Sequence, residues 1–528
     1  MDGTTQLMRS LSAPKIVFLV VAAAAPLTAM VGTVPLAMGI GNGAGVPATF
    51  VFAGLTLLCF SVGYAAMSHH VVSTGGFYTY IGRGLGRPAA VGGGLVALIA
   101  YNAATIGLIG AFGYFTSLVA GEHGLHLPWE VWVGVAVLVV AFLGYREIDI
   151  SARLLSVLMV CEIAILAILD VAILVHRGAH AAPAESFSAH TVFSPGLGVA
   201  LMFAFMSFIG FESAALYGEE TPNPRRAVPI ATYTSVVLIA VYYAVTSWLA
   251  VGGIGPDRVT ETANAQLGDL FFGLSDEYLN GTATTVMQVL MCTSLFAAVL
   301  SLHSATNRYT YVLGREGVLP RWVGRAHPTH GSPSRASLVQ TVLTVVVCAL
   351  FAVAGLDPYT NLATSMLGLG TLGIVVLQAA AAASVLGFFA RRADRHWWRT
   401  GLAPLLGLAG LLYAAVLLVM RFPLVTGTDS AVVNALPWLM GLVALAGIGY
   451  GLWLRSARPA RYAALAAEEP VAVEQAVAEE PVAVEQAVAE EPVAVEQAVA
   501  EEPVAVEQAA ATVEEEPAHA RRAATADR

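Results

Sequence analysis

The chain has 528 residues, 57% of them hydrophobic and 12% charged, with a formal net charge of -10. Many separate apolar runs are about 20 residues long, enough to cross a hydrocarbon core of ~30 Å, which excludes a soluble domain and reads as a polytopic all-α membrane protein. The acidity is local: sixteen acids and three arginines follow Arg461, a balance of -13, leaving twenty acids against twenty-three bases in the rest.

Residues 1–14 read as a short N-terminal segment, and the first apolar stretch, from Ile16, shows no small-residue cleavage site and is expected to be retained as a span. About twelve spans follow in order, near 15–40, 47–67, 89–120, 129–145, 150–176, 193–218, 227–253, 283–312, 336–355, 360–390, 402–420 and 433–455. An even number places both termini on one side. Arg83, Arg87, Arg146, Arg153, Arg225, Arg226, Arg308 and Arg315 fall on that side, as do most later arginines, whereas Arg177, Arg258 and Arg421 fall on the other. Positive residues accumulate on the cytoplasmic face, so both termini are expected in the cytoplasm and the loops around 176–193 and 254–282 outside. The apolar body, 15–458, thus reads as a multi-pass protein of the cytoplasmic membrane.

Two spans carry interruptions. In the first, Ala25-Pro26-Leu27-Thr28-Ala29-Met30-Val31-Gly32 breaks an apolar helix; in the sixth, Ser207-Phe208-Ile209-Gly210-Phe211-Glu212 does the same. Proline deletes a backbone hydrogen bond and glycine costs about 1 kcal/mol in a helix, so each site can unwind and free N–H and C=O groups. Half-helix N-termini favour a carboxylate and exposed carbonyls an ammonium, the polarity of an α-amino acid. Spans one and six open two five-helix halves, 1–5 and 6–10, which suggests an inverted repeat with the site between the halves. Ordinary kinks or close packing are the alternative reading of each span taken alone.

Glu212 is the sharpest signal, because a carboxylate inside a bilayer costs several kcal/mol unless it meets water or a partner. It reads either as a proton-responsive group or as an acceptor for freed N–H groups. Around it, Phe208, Gly210, Phe211, Glu212, Glu219, Glu220, Asn223, Pro224, Arg226 and Pro229 form a spaced motif. Gly75-Gly76-Phe77-Tyr78-Thr79-Tyr80 with Gly84-Leu85-Gly86 follows span two, and Asn307-Arg308 with Gly314-Arg315-Glu316-Gly317-Val318-Leu319-Pro320 ends span eight. With these three ordered segments, the chain resembles the amino acid/polyamine/organocation (APC) superfamily of permeases over roughly 15–455.

The resemblance implies a LeuT-like 5+5 inverted repeat with broken helices 1 and 6, alternating access, and secondary active transport of amino acids or related amines by symport or exchange. It places substrate at Ala25, Pro26, Leu27, Thr28 and Ala29 and at Ser207, Phe208, Ile209 and Gly210. Glu212 then matches the superfamily's buried acid. Glu162, mid-way along span five, matches an ionisable group that replaces sodium between spans one, five and eight, with Thr293 and Ser294 as neighbours; pairing with a cytoplasmic arginine is its other reading. Proton coupling is expected, with sodium as the alternative ion. Met206 and Phe211 are expected to act as gate walls, and Glu219 and Glu220 as an inner gate paired with loop arginines. A methionine at 206 lacks the ring that would hold a guanidinium, which weakens an arginine or agmatine substrate. Asp170 reads as interfacial, and Asn223 as a cap for span seven.

No enzymatic constellation, cofactor motif, metal site or nucleic-acid partner is expected; the four cysteines sit singly in apolar runs. From Glu468 the unit Glu-Glu-Pro-Val-Ala-Val-Glu-Gln-Ala-Val-Ala recurs at 468, 479, 490 and 501. With a proline in every unit and no bulky residue to bury, the tail, 459–528, is expected to be acidic and disordered. A sensor that binds an amino acid without moving it is the alternative function, with the tail as its partner-binding element.

Overall fold

The computed structural model describes residues 12–71, 76–146, 152–212, 214, 221, 223–327, 332–390 and 392–466. The chain divides into two units, Met1–Ala467 and Glu468–Arg528, and only the first contains described residues. The acidic repeat and the two gate residues Glu219 and Glu220 lie outside the described residues.

The described residues are helical, without a strand. Span 1 is two helices, 1a (Ala13–Ala24) and 1b (Pro26–Gly39). Spans 2 to 5 are Val46–Ser68, Arg87–Glu122, Trp129–Arg146 and Ala152–Arg177, with a short helix, Phe77–Leu85, before the third. Span 6 begins as Leu197–Ser207 (6a) and then breaks. Spans 7, 8 and 9 are Pro224–Ile254, Gly281–Arg315 and Ser334–Val353; span 10 runs through Pro358–Ala363 into Thr364–Phe389; spans 11 and 12 are Ala403–Thr426 and Leu436–Ala457. Nine described helices are long and apolar enough to cross a membrane; Pro26–Gly39, Trp129–Tyr145 and Leu197–Ser207 are the shorter apolar pieces. Each of the twelve expected spans therefore contains a described helix, the sixth over Leu197–Ser207 only, and the chain is an all-α polytopic membrane protein. The start of span 1 and the end of span 12 define the terminal side, and the opposite end is the far side.

Helix is the only local solution for such segments, because lipid offers no partner to a backbone N–H or C=O. Proline marks many of the starts: Pro26, Pro47, Pro88, Pro224, Pro404 and Pro437 all sit in a first turn, where the missing N–H costs nothing. Asp357 caps span 10, accepting from the N–H groups of Tyr359 (2.9 Å) and Thr360 (2.7 Å). Asn223 does not cap span 7 as expected: its side chain makes no cap bond, and its carbonyl instead accepts from Ala227 N–H at 2.9 Å, so the first turn is held by backbone alone.

The two interruptions are real and have different backbone causes. At Ala25 the chain turns through a left-handed conformation (φ 45°, ψ 74°), ending 1a and letting Pro26 start 1b. After Ser207 it tightens into single turns, with Ile209 N–H on the Met206 carbonyl (3.2 Å), and reverses at Gly210 (φ 108°). There the two breaks touch. A Cβ at Gly210 would stand 3.0 Å from both the carbonyl carbon and oxygen of Ala23, so glycine is required by conformation and by the approach of helix 1a.

Gly210→Ala is accordingly expected to destabilise the protein by about 1–3 kcal/mol through combined backbone strain and overpacking. A thermal melt of detergent-purified protein checks this; a melting temperature equal to wild type would contradict the close approach.

Candidate functional site

The ends of helices 1a and 6a, the start of 1b, and facing parts of spans 3, 8 and 10 enclose a cavity of about 60 Å³. At roughly 15 Å³ per water centre, this is room for about four waters. Its wall is mostly apolar: Phe203, Met206 and Ile209 from span 6, Met291, Leu295 and Ala298 from span 8. Polar atoms enter from Thr28, Thr33, Ser207, Thr364 and Tyr359, and no lining side chain carries a charge. The hydroxyls of Thr33 and Ser207 lie 2.7 Å apart and join 1b to 6a across the wall.

Of the residues expected to hold substrate, Ala25, Thr28, Ala29, Ser207 and Ile209 line the cavity, and Met206, expected as a gate, lines it too. Pro26, Leu27, Phe208 and Gly210 do not line it. Pro26 shapes the break. Leu27 is fully buried outside the wall. Phe208 is buried against Tyr243, with ring centroids 5.9 Å apart, and Phe211 meets Phe60 edge-on at 6.2 Å. Gly210 sits behind the wall against Ala23.

Each break has its own buried carboxylate. Glu212, 2% exposed, accepts the Gly210 N–H on Oε2 at 3.1 Å and the Tyr101 hydroxyl on Oε1 at 2.8 Å. Tyr101 stacks on Tyr309 with centroids 5.1 Å apart, so spans 3, 6 and 8 are tied together on the terminal side of the cavity. Glu162, 4% exposed, accepts the Ser294 hydroxyl on Oε2 at 2.8 Å. The Thr28 hydroxyl in turn donates to Ser294 at 3.0 Å, so Glu162 is two hydrogen bonds from the cavity wall. Ser294, not an arginine, is its side-chain partner; Thr293 bonds its own helix at Leu290 O.

On the far side, Phe115 and Tyr359 close the cavity. The Tyr359 hydroxyl donates to Gly32 O at 2.9 Å, and its ring stacks on Tyr114 with centroids 4.8 Å apart. Tyr101, Phe115, Tyr359 and Thr33 were not singled out in the sequence; aromatic and threonine residues in apolar runs carry no mark that separates a cavity wall from packing. Among the described residues no cluster of His, Cys, Asp or Glu is arranged to hold a metal.

The amino acid permease family model matches residues 11–446, most of the chain and all of the broken-helix core. The chain belongs to the amino acid permease family. The APC resemblance read from its motifs is thereby established, and the protein is a transporter rather than an enzyme at that level. The permease is 27% identical over 340 residues to an uncharacterized transporter of Rhizobium meliloti strain 1021, covering 62% of this chain and 69% of the relative. It is 25% identical over 362 residues to the branched-chain amino acid permease BcaP of Bacillus subtilis strain 168, covering 64% and 74%. To the low-affinity putrescine importer PlaP of Escherichia coli K12 it is 23% identical over 379 residues, covering 70% and 78%.

Removing the donor from a buried carboxylate leaves it under-bonded, at a cost of about 1–3 kcal/mol. Tyr101→Phe in this permease is therefore expected to lower thermal stability measurably, and Glu212→Gln, whose amide oxygen can accept the Gly210 N–H while its NH2 donates to the Tyr101 hydroxyl oxygen, to lower it less. The reverse order of melting temperatures would contradict this role for the pair.

Proposed function

We propose that the permease is a secondary active transporter that moves small, uncharged amino acids across the cytoplasmic membrane by alternating access. The carrying observation is the cavity at the meeting of the two helix breaks, with helix ends of opposite polarity and no charged side chain in its wall. The carbonyl ends of 1a and 6a favour an ammonium, and the N-terminus of 1b favours a carboxylate. An α-amino acid supplies both and leaves its side chain to Phe203, Met206, Ile209 and Leu295. A diamine or a guanidinium would place a second cation against that apolar wall without a partner, at a cost of several kcal/mol. Two relatives are named for a branched-chain amino acid permease and for a putrescine importer. The uncharged wall favours the first kind of substrate.

The arginine distribution supports a cytoplasmic terminal side. On that orientation Phe115 and Tyr359 form the outer lid and the Glu212–Tyr101 bond the inner lock. Glu162 is the coupling site for a proton. Ionised, it is the stronger acceptor for the Ser294 hydroxyl; neutral, it holds that hydroxyl less firmly. Proton occupancy thus acts on the first break through two bonds, and Thr28 carries the effect into the cavity wall. A five-helix inverted repeat fits the position of both breaks at the head of each half.

The test is uptake by purified protein in liposomes, with labelled L-alanine, L-valine, L-leucine, L-arginine, L-glutamate and putrescine, each with and without an inward proton gradient. The three aliphatic amino acids are expected to accumulate and the three charged compounds to stay at background. Glu162→Gln is expected to reduce gradient-driven accumulation tenfold or more while exchange of internal for external substrate falls less. Binding of the aliphatic compounds without accumulation or exchange would mark a sensor; accumulation of putrescine would contradict the reading of the wall.

A further inference from the structure

Two of the three segments that carry the superfamily resemblance line no part of the cavity, yet the structure brings them together. The segment after span 2 folds as the short helix Phe77–Leu85, and the segment that ends span 8 turns at Gly317 (φ 77°). Glu316 joins them, its Oε2 accepting the hydroxyl of Tyr78. The same oxygen accepts the backbone N–H of Ala466 at 3.1 Å, from the stretch of chain that follows span 12.

After span 12 ends at Ala457 the chain forms a short helix, Pro459–Ala464, extends through Leu465 (φ -70°, ψ 134°) and turns left-handed at Ala466 (φ 50°). A left-handed alanine is unfavourable by itself and persists where its surroundings fix it. Here they do. Leu465 is fully buried with Val91 and Leu454, and its carbonyl accepts Arg87 Nε at 3.0 Å. The Arg87 guanidinium also lies over the ring of Tyr462, 5.4 Å from its centroid. Ala466 packs with Tyr78, Ala90 and Leu313, and a Cβ at Gly82 would stand 2.8 Å from the Ala466 Cβ. Arg461 covers Gly317, where a Cβ would stand 2.6 Å from Nη2. Residues 459–466 thus bind the short helix to the start of span 3 and the end of span 8.

The short helix is in turn the outermost member of the ring cluster behind the Glu212–Tyr101 bond. Its Phe77 and Tyr80 pack on Tyr64 of span 2, with centroids 5.8 and 4.8 Å apart. Tyr64 meets Phe60 at 5.2 Å, and Phe60 meets Phe211, the neighbour of Glu212, at 6.2 Å. Side-chain contact is therefore continuous from Ala466 to the second break.

We propose that residues 459–466 are a strap that holds the terminal-side closure shut and sets how readily the cavity opens on that side. With the strap seated, Glu316 ties Ala466 and Tyr78 to one oxygen, and the short helix presses its rings on Tyr64. With the strap lifted, the short helix loses its contact at Gly82 and the ring cluster loses its backing. The strap touches neither cavity nor substrate. The inference rests on the alternating-access reading, in which the terminal side opens, and the two fail separately.

The experiment uses the full chain, reading amide hydrogen exchange in lipid nanodiscs and, beside it, counterflow of labelled L-valine in liposomes. Ala466→Pro removes the N–H that Glu316 accepts and forbids a positive φ, so the strap cannot seat. Leu465→Ser takes away the buried side chain and is the milder variant. Both are expected to speed exchange about fivefold in 77–85 and 208–212, with 358–363 on the far side within about twofold of wild type. Counterflow is expected to rise about twofold, because the closure released is the one held by a charged acceptor. Wild-type exchange at 208–212 in both variants would overturn the strap. An equal rise in all three regions would mark general destabilisation and overturn it too, as would a local rise with counterflow at or below the wild-type rate. Wild-type protein that shows no counterflow of valine would remove the transport reading instead, and the exchange pattern alone then decides the strap.

Discussion

The core of this permease follows from one constraint: two helices are interrupted inside the membrane-spanning region, where lipid offers no partner, and the backbone groups freed there must be satisfied within the protein. Each interruption has a buried carboxylate assigned to it. Glu162 reaches Thr28 beside the first break through the Ser294 hydroxyl, and Glu212 takes the Gly210 N–H at the second. Each carboxylate is tied in turn to the helices behind it, Glu162 to span 8 through Ser294 and Glu212 to span 3 through Tyr101. The acids are thus joints between the breaks and the surrounding scaffold. The bonds that Glu212 makes are those of an acceptor for a freed backbone N–H, tied to span 3 by Tyr101.

The geometry also explains why the cavity is where it is. With helix 1a ending at Ala24 and helix 6a at Ser207, and with Gly210 pressed on Ala23, the two breaks cannot separate without losing backbone packing. The wall is completed by small or flexible residues on the facing spans, Ala298, Met291 and Leu367 among them. Methionine and leucine adapt to different fillings more easily than branched or aromatic residues do. The small free volume and the adaptable wall belong together.

The helical spans were legible in the sequence because length and hydropathy alone determine them, and the two breaks because proline, glycine and an intramembrane acid are rare enough to stand out. Ser294 was within reach for the same reason, as a polar residue beside a candidate ion site. Tyr101 was not. It is 111 residues from Glu212, and nothing in span 3 distinguishes it from a packing aromatic until the spans are assembled. Asp170, read as interfacial, is buried against span 7 through the Thr246 hydroxyl, a contact that nothing in the sequence of span 5 reveals. Asn223 was misread because a residue of the right type before a proline satisfies the pattern of a cap whether or not its side chain turns inward.

The two ends of the cavity are closed by unequal means, and this bears on the direction in which it opens. On the far side a neutral phenol-to-carbonyl bond from Tyr359 to Gly32 and a ring stack hold the lid. Such a bond contributes about 1 kcal/mol net. On the terminal side the hydroxyl of Tyr101 meets a carboxylate, and bonds to charged groups are worth about 1.5–3 kcal/mol. Behind it lie the Tyr101–Tyr309 stack and the buried rings of Tyr64, Phe60 and Phe211. The far-side closure is the weaker of the two while Glu212 is ionised. Neutralising Glu212 would weaken the stronger closure specifically and lower the difference between the two ends.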